Sequence, residues 1–177
     1  MVRILTAVVV VSMLAMPVMA QERMEGNVFG PEAGNWELTL GGGGASDQDF
    51  ESGSAFVNGS LGYYLDDNWE VVFRQGFGFA DSGDSSWNAS SRIGIDYNFN
   101  FDRLVPYIGA NVGIIYGDDI DDTGIAGLGG GLKWFVKPET FIFAGAEYQF
   151  FFEDSDDADD NFDDGSFVYT LGIGFVW

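Results

Sequence analysis

The sequence predicts an all-β protein, an eight-stranded antiparallel up-and-down transmembrane β-barrel with short turns at one end and longer acidic loops at the other. Eight segments of roughly ten residues alternate large apolar residues with small or polar ones, and a period of two is typical of strands. Aromatic residues cluster at both ends of these segments. The connections alternate between acid-poor and acid-rich stretches, which an up-and-down meander sorts to opposite ends.

The first four predicted strands cover residues 36–44, 55–65, 69–79 and 87–99. In the first, Trp36 and Leu38 lie on the face opposite Glu37. In the fourth, Ile93 and Ile95 alternate in the same way with polar neighbours. The apolar faces of the second and third are Val57, Leu61, Tyr63 and Leu65, then Trp69, Val71, Phe73, Phe77 and Phe79. Each segment therefore has one apolar face and one small or polar face.

The last four predicted strands cover residues 105–116, 127–136, 141–152 and 167–177. Glycines and Asn111 oppose the apolar residues of the fifth, and Lys133 opposes Leu132 and Trp134 in the sixth. The apolar faces of the last two are Ile142, Ala144, Ala146, Tyr148, Phe150 and Phe152, then Phe167, Tyr169, Leu171, Ile173, Phe175 and Trp177. No helical period interrupts this pattern between residues 36 and 177.

Charged residues on the small face predict which side of the barrel is the interior. They are Glu37, Glu70, Arg74, Arg92, Asp96, Lys133 and Glu147. The interior of an eight-stranded barrel is just wide enough to be filled by side chains, and only lipid accepts an apolar band all round the outside. We therefore expect these residues to form a charge network that plugs the lumen. A gated ion path or a proton relay is the alternative.

Aromatic residues are predicted to form two girdles that flank an apolar band. Those at the end with the short turns are Trp36, Trp69, Trp134 and Trp177. Those at the end with the acidic loops are Trp87, Tyr116, Phe152 and Phe167. Such girdles are typical of the two interfaces of a membrane.

The N-terminal residues read as a secretory signal. Arg3 precedes the apolar run "ILTAVVVVSMLAM", and "VMA" fits a cleavage site before Gln21. We expect a signal peptide at 1–20, a periplasmic lead-in at 21–33 and the barrel at 34–177. Retention of the apolar run as a transmembrane helix is the alternative.

Composition excludes several function classes. There is no cysteine and no histidine, so thiol and Ser-His-Asp catalysis cannot be built, and we expect no enzyme. The net charge of −21 argues against nucleic acid as a partner. Apolar residues are 46% of the chain, so the charge does not indicate a disordered protein.

The C-terminal segment "TLGIGFVW" resembles the insertion signal of bacterial outer-membrane barrels, through Thr170, Gly172, Phe175 and Trp177. With the strand pattern, the chain resembles the small eight-stranded superfamily of OmpX-like proteins, the OmpA transmembrane domain and the opacity-type porin-family adhesins. The resemblance implies a Gram-negative outer-membrane location, both termini in the periplasm, and contact with the insertion machinery, lipid and lipopolysaccharide. It also implies that the acidic loops face the cell surface, but it does not define a function.

The four acidic connections contain seventeen of the 28 acidic residues and no Lys or Arg. A solvated surface is the simplest explanation; adaptation to high salt, which screens charge, is another. Weak binding of Ca²⁺ or Mg²⁺ is a sharper hypothesis, because hard cations take carboxylate oxygens. The candidate ligands, none of which completes an EF-hand, are Asp119, Asp121, Asp159, Asn161 and Asp163.

These observations together predict a non-enzymatic outer-membrane protein with a structural or surface-interaction role. A narrow channel for ions or small solutes is one alternative. A soluble ligand-binding barrel of the lipocalin type is another, although the apolar outward face argues against it.

Overall fold

Eight antiparallel strands form one closed barrel in the computed structural model, which describes residues 29–46, 53–81, 85–117, 120–152 and 165–177. The strands are β1 (Trp36–Ser46), β2 (Gly53–Tyr64), β3 (Trp69–Asp81), β4 (Ser85–Asn98), β5 (Leu104–Gly117), β6 (Ile120–Lys137), β7 (Thr140–Phe152) and β8 (Gly165–Val176). Each strand pairs with the next along the chain, and β8 returns to β1. No helix in these ranges is long and apolar enough to cross a membrane. The predicted fold class is confirmed.

Alternation along each strand separates an apolar outer face from a more polar inner face. In β1, Leu38 is 43% exposed while the adjacent Glu37 is 2% exposed. In β4, Ile95 is exposed while Asp96 is buried. Because successive side chains of a strand point to opposite faces, this difference in exposure follows directly from the sequence pattern.

The start of β6 corrects one predicted connection. The stretch "GDDIDDTG" (residues 117–124) is one of the four acidic connections that the sequence predicts, but β6 begins at Ile120, and Thr123 pairs with Ile115 of β5. Their β-branched side chains suit a pleated strand. The predicted loop is therefore mostly the tip of the β5–β6 hairpin.

Residues 29–35 pack against the end of the barrel that carries the short turns. The Ala33 amide donates to Asp67 Oδ1 at 2.9 Å, and the Gly34 amide donates to the Tyr64 carbonyl at 2.9 Å. Gly34 has a φ of +86°, which favours glycine. The Arg103 guanidinium lies 4.1 Å from the centre of the Phe29 ring. The predicted signal peptide and most of the predicted lead-in fall outside the described residues.

An apolar layer closes the lumen at this same end. Val105, Phe135 and Phe141 have no exposed surface, and Val176 is 1% exposed. They lie on the inner faces of β5 to β8, next to the short turns, and the rings of Phe135 and Phe141 are 5.0 Å apart. We call these four residues the apolar plug. The expectation of a small and polar interior is wrong for this layer.

Candidate functional site in the lumen

All seven charged residues singled out from the sequence project into the lumen. Glu37, Glu70, Arg92, Asp96 and Lys133 are buried. The side chains of Arg74 and Glu147 are 19% and 18% exposed. Desolvated charges need partners to offset the cost of leaving water, and the structure groups these seven into three ion-paired clusters.

The first cluster lies directly above the apolar plug and is centred on Lys133. Its Nζ donates to both oxygens of Glu37, at 2.8 and 2.7 Å, and to Glu70 Oε2 at 3.2 Å. The Tyr64 hydroxyl donates to Glu37 Oε2 at 2.6 Å and accepts from Lys133 Nζ at 2.9 Å. Lys133 Nζ also lies 5.4 Å from the centre of the Phe141 ring, so the ion cluster and the plug are in contact.

The other two clusters separate two arginines that are direct cross-strand neighbours. Arg74 of β3 pairs in register with Arg92 of β4. Arg74 Nη2 donates to Asp96 Oδ2 at 2.5 Å, whereas Arg92 Nη1 reaches across the lumen to Glu147 Oε1. Asn111 Nδ2 also donates to Glu147, at 2.7 Å. Each guanidinium therefore has its own carboxylate, which offsets the repulsion between the two.

Glycines on neighbouring strands make room for these charged side chains. A Cβ added to Gly62 would lie 1.7 Å from Glu70 Oε1, and one added to Gly109 would lie 2.0 Å from Asp96 Oδ1. Both distances are far inside van der Waals contact. These two inward glycines thus leave the space that the carboxylates of Glu70 and Asp96 occupy, a role that strand alternation alone does not reveal.

A cavity of about 100 Å³ lies in the lumen, and its wall includes Glu37 and Lys133 of the first cluster as well as both arginine clusters. Asn58, Thr39 and Thr170 contribute polar atoms to its wall, together with Arg74 and Arg92. Two buried nitrogens, Arg74 Nη1 and Arg92 Nε, have no hydrogen-bond partner among the described residues. The cavity can hold water or a polar group.

The residues predicted to form the girdles lie on the outer face. Trp36, Trp69 and Trp134 are exposed at the end with the short turns. Trp87, Phe152 and Phe167 are exposed at the opposite end, and Trp177 is partly buried, with its amide bonded to the Trp36 carbonyl.

Tyr116 also lies on the outer face, but its hydroxyl belongs to a polar group that strand alternation did not predict. Its hydroxyl lies 3.3 Å from Gln75 Nε2 and 3.2 Å from Ser91 Oγ, and Ser91 donates to Gln75 Oε1 at 2.8 Å. Gln75 is the central residue of β3 and pairs with Ser91. The three polar side chains satisfy one another on an otherwise apolar surface.

The residues of the C-terminal signal lie on β8 or directly after it. Thr170 faces the lumen and accepts a hydrogen bond from Asn58 Nδ2 at 3.3 Å. Gly172 lies under the Phe143 ring, where a Cβ would be 2.6 Å from a ring carbon. Phe175 is exposed on the outer face.

The candidate cation ligands lie at or beyond the edge of the described structure. Asp119, Asp159, Asn161 and Asp163 fall outside it, and Asp121 is described only as a strand residue of β6. Within the described ranges, no group of three or more carboxylates is arranged to hold a metal ion.

Comparisons with known proteins identify the fold and nothing narrower. No protein-family model matches the chain, and no curated protein matches it. The N-terminal β-barrel domain of Pseudomonas aeruginosa OprF is similar, with 21% identity and a TM-score of 0.58 over 83% of this chain and all of that one. Neisserial surface protein A has 15% identity and a TM-score of 0.58, over 81% of this chain and 96% of that one.

The Pseudomonas aeruginosa outer membrane protein OprG has 12% identity and a TM-score of 0.57, over 84% of this chain and 98% of its own. At such identities the likeness is one of fold, and fold does not imply function. The chain has the fold of the eight-stranded outer-membrane barrels, which confirms the resemblance predicted from the sequence.

Proposed function

We propose that the chain is an integral, non-enzymatic protein of the Gram-negative outer membrane, with a plugged barrel that presents acidic loops at the cell surface. The observation that carries this proposal is the inverted polarity of the wall. Leu171, Ile108 and Leu128 are 70%, 58% and 58% exposed outside, while Glu37 and Lys133 are almost fully buried inside. A water-soluble barrel would reverse that arrangement, whereas lipid stabilises it.

The proposed role is structural or one of surface interaction rather than transport. The apolar plug and the Lys133 cluster lie across the lumen one above the other, and dry apolar side chains oppose the passage of ions. This supports a closed lumen over the narrow channel that the interior charges also allow.

The acidic loops extend this proposal to divalent cations. Seventeen acidic residues occur in the four connections at one end of the barrel and in the strand ends that flank them, where lipopolysaccharide phosphates would add further negative charge. Ca²⁺ or Mg²⁺ bound weakly by many carboxylates would relieve the repulsion. The loops would then serve cation-linked adhesion or bridging to lipopolysaccharide.

The test is to refold residues 21–177 in detergent and titrate CaCl₂ and MgCl₂ by calorimetry at moderate salt, with thermal unfolding measured in parallel. Saturable heat and a higher melting temperature are expected. A variant with Asp156, Asp157, Asp159 and Asp160 changed to Asn should lose much of the heat and keep the folded, heat-modifiable gel band. If the parent chain gives no saturable heat, the acidic residues do not bind these cations specifically and form only a solvated surface.

The proposed membrane location is tested by whether the barrel needs detergent or lipid to stay folded. Residues 21–177 should remain folded only in detergent or lipid, and the folded band should shift on boiling. A monomer that stays soluble and folded in buffer alone would instead support the lipocalin-type alternative.

A further inference from the structure

A ring of three hydrogen bonds joins Gln75, Ser91 and Tyr116 on the outer wall of the barrel. Ser91 Oγ donates to Gln75 Oε1 at 2.8 Å, so the hydrogen bond of 3.2 Å between Ser91 and Tyr116 uses the proton of the Tyr116 hydroxyl. Gln75 Nε2 in turn donates to the Tyr116 hydroxyl oxygen at 3.3 Å. Both hydroxyl protons are therefore used within the ring.

The Gln75 amide keeps hydrogen-bonding capacity that the ring does not use. A primary amide has two N–H donors and an oxygen that can accept two hydrogen bonds. The second N–H of Gln75 reaches the Gly76 carbonyl oxygen at 3.5 Å, which is longer than the usual range of about 2.7–3.2 Å. Among the described residues, Ser91 is the one donor to Gln75 Oε1. One weakly bonded N–H and one lone pair of the same amide thus remain for another molecule.

This amide lies deep in the apolar band of the outer wall. Phe73 and Phe77 are its neighbours on the same face of β3, because side chains two positions apart share a face. Gln75 is four positions from Phe79 and six from Trp69, which at about 3.3 Å per residue is at least about 13 Å along the strand in either direction. The acyl chains of a membrane offer no hydrogen-bonding groups at such a depth. Lipid therefore cannot satisfy the remaining N–H, whereas another protein can.

The surface next to Gln75 is open to the approach of a second barrel. Gly59 of β2 pairs with Gln75 and has no side chain. Apart from its chain neighbours, the one described heavy atom within 4 Å of a Cβ added to Gly59 is the Thr39 carbonyl oxygen, at 3.5 Å. Exposed apolar side chains, including Val57 and Ile93, lie around this position on the neighbouring strands. A neighbouring barrel can thus come close to the amide and pack apolar side chains around it.

We propose that two copies of the chain associate in the membrane through this face, with their Gln75 amides bonded to each other across a two-fold axis parallel to the membrane normal. All copies insert in the same direction, so this axis brings Gln75 of both copies to the same depth. Each amide then donates its remaining N–H to Oε1 of the other, so that a single residue supplies both the missing donor and the missing acceptor. Amide side chains join transmembrane helices in the same way. The inference rests on the proposed membrane location and adds a partner to it, a second copy of this chain.

The first experiment measures the oligomeric state of residues 21–177 by sedimentation equilibrium in density-matched detergent. The parent chain should form a dimer that dissociates as detergent is added. Gln75→Leu keeps the bulk of the side chain but removes the amide, and should raise the dissociation constant by about tenfold, as expected for one or two such hydrogen bonds in a membrane. The matched control, Ser91→Ala, removes a ring hydroxyl but keeps the amide, and should dimerise like the parent. A monomeric parent, or a Gln75→Leu dimer as stable as that of the parent, would overturn the inference.

Gly59→Leu tests whether the two barrels approach each other closely at this face. A Cβ at Gly59 has room, so the variant should keep the heat-modifiable folded band, while the added bulk should separate the two amides and weaken the dimer. The matched control is Ala146→Leu, which adds the same bulk to the exposed central residue of β7, four strands away around the closed barrel. That variant should dimerise like the parent. Equal dimer stability in the two variants would refute a contact at Gly59 and Gln75.

Spin labels at the short-turn end locate the contact face directly, since the chain has no native cysteine. Leu65→Cys places a label in the β2–β3 turn, on the side of the proposed contact, and Glu139→Cys places one in the β6–β7 turn, on the opposite side. Both positions are exposed. Double electron–electron resonance in lipid vesicles should give a short distance between copies labelled at residue 65 and a much longer one between copies labelled at residue 139. The reverse order would overturn the inference.

Failure of the proposed membrane location would be a different result. A chain that stays folded in buffer without detergent or lipid contradicts the membrane location. A chain that folds only in detergent or lipid and is monomeric there contradicts the dimer alone.

Discussion

Lys133 Nζ lies 2.7 Å from Glu37 Oε2 and 3.2 Å from Glu70 Oε2, so one ammonium group holds carboxylates from two other strands inside the barrel. All three residues are at most 3% exposed. The cluster joins β1, β3 and β6 across the lumen, directly above the plug. Its members therefore depend on one another more than surface ion pairs do.

We expect Lys133→Met to lower the free energy of unfolding by about 3–5 kcal/mol, because it leaves two buried carboxylates without their cation. Urea unfolding in phospholipid vesicles, followed by tryptophan fluorescence, measures this. Lys137→Met is the matched control, since Lys137 is an exposed lysine of the same strand, and it should change stability by less than about 0.5 kcal/mol. Equal losses of unfolding free energy in the two variants would show that the buried cluster contributes no more to stability than an exposed lysine does.

The space that Gly62 leaves for Glu70 gives a second prediction. Gly62→Ala should destabilise the barrel by about 1–3 kcal/mol, because the new methyl group overlaps the Glu70 carboxylate. Gly59→Ala is the control: the nearest described atom to its Cβ is the Thr39 carbonyl oxygen at 3.5 Å. That change should be neutral or slightly stabilising, since alanine loses less conformational entropy than glycine. If Gly62→Ala leaves the stability of the barrel unchanged, the Glu70 carboxylate does not need the space that Gly62 provides.

Asp66 in the β2–β3 turn gives the pH prediction. The backbone amides of Trp69 and Asn68 donate to its Oδ1, at 2.7 and 2.8 Å, and hold the pKa of this carboxyl below its ordinary value. A lowered folded-state pKa adds stability that is complete above the unfolded value of about 3.9 and is lost as the pH falls toward the folded value. Melting temperatures measured below about pH 4 should therefore fall more steeply for the parent chain than for Asp66→Asn. If the melting temperatures of the two proteins fall equally with pH, Asp66 does not contribute to the pH dependence of stability.

Because Phe141 is part of the apolar plug, we expect Phe141→Ala to lower the free energy of unfolding by about 3–5 kcal/mol. Phe141 is fully buried against Phe135. Phe101→Ala in the β4–β5 turn removes the same ring from a site where it is 65% exposed, and should cost under about 1 kcal/mol. Chemical unfolding in vesicles compares the two, and a similar cost at both positions would argue against a packed plug.

The same plug predicts that the parent protein gives no discrete current steps in planar bilayers. Arg74→Gln and Arg92→Gln should leave that baseline unchanged. Current steps from the parent that disappear with either arginine variant would favour the narrow channel instead, with the arginines along the ion path.

The sequence predicts the local structure well, because strand alternation is a property of neighbouring residues. Leu38 and Glu37, or Ile95 and Asp96, face opposite sides of any strand they join. The pattern failed where both faces are apolar, as at Trp134 and Phe135, since alternation cannot then assign the inner residue. It also failed at Ile120–Gly124, where pairing with β5 outweighs the acidic, loop-like composition.

What the sequence by itself determined is the number of strands, their order and the polarity of the two faces, because these follow from short-range periodicity. Only the tertiary structure decided which charges pair, as with Lys133 and Glu37, 96 positions apart, because barrel closure and register bring distant strands together. Closure also decided that the β1–β8 ladder stops at Gly42. Whether two edges meet along their full length depends on how all eight strands are staggered, and no single segment encodes that.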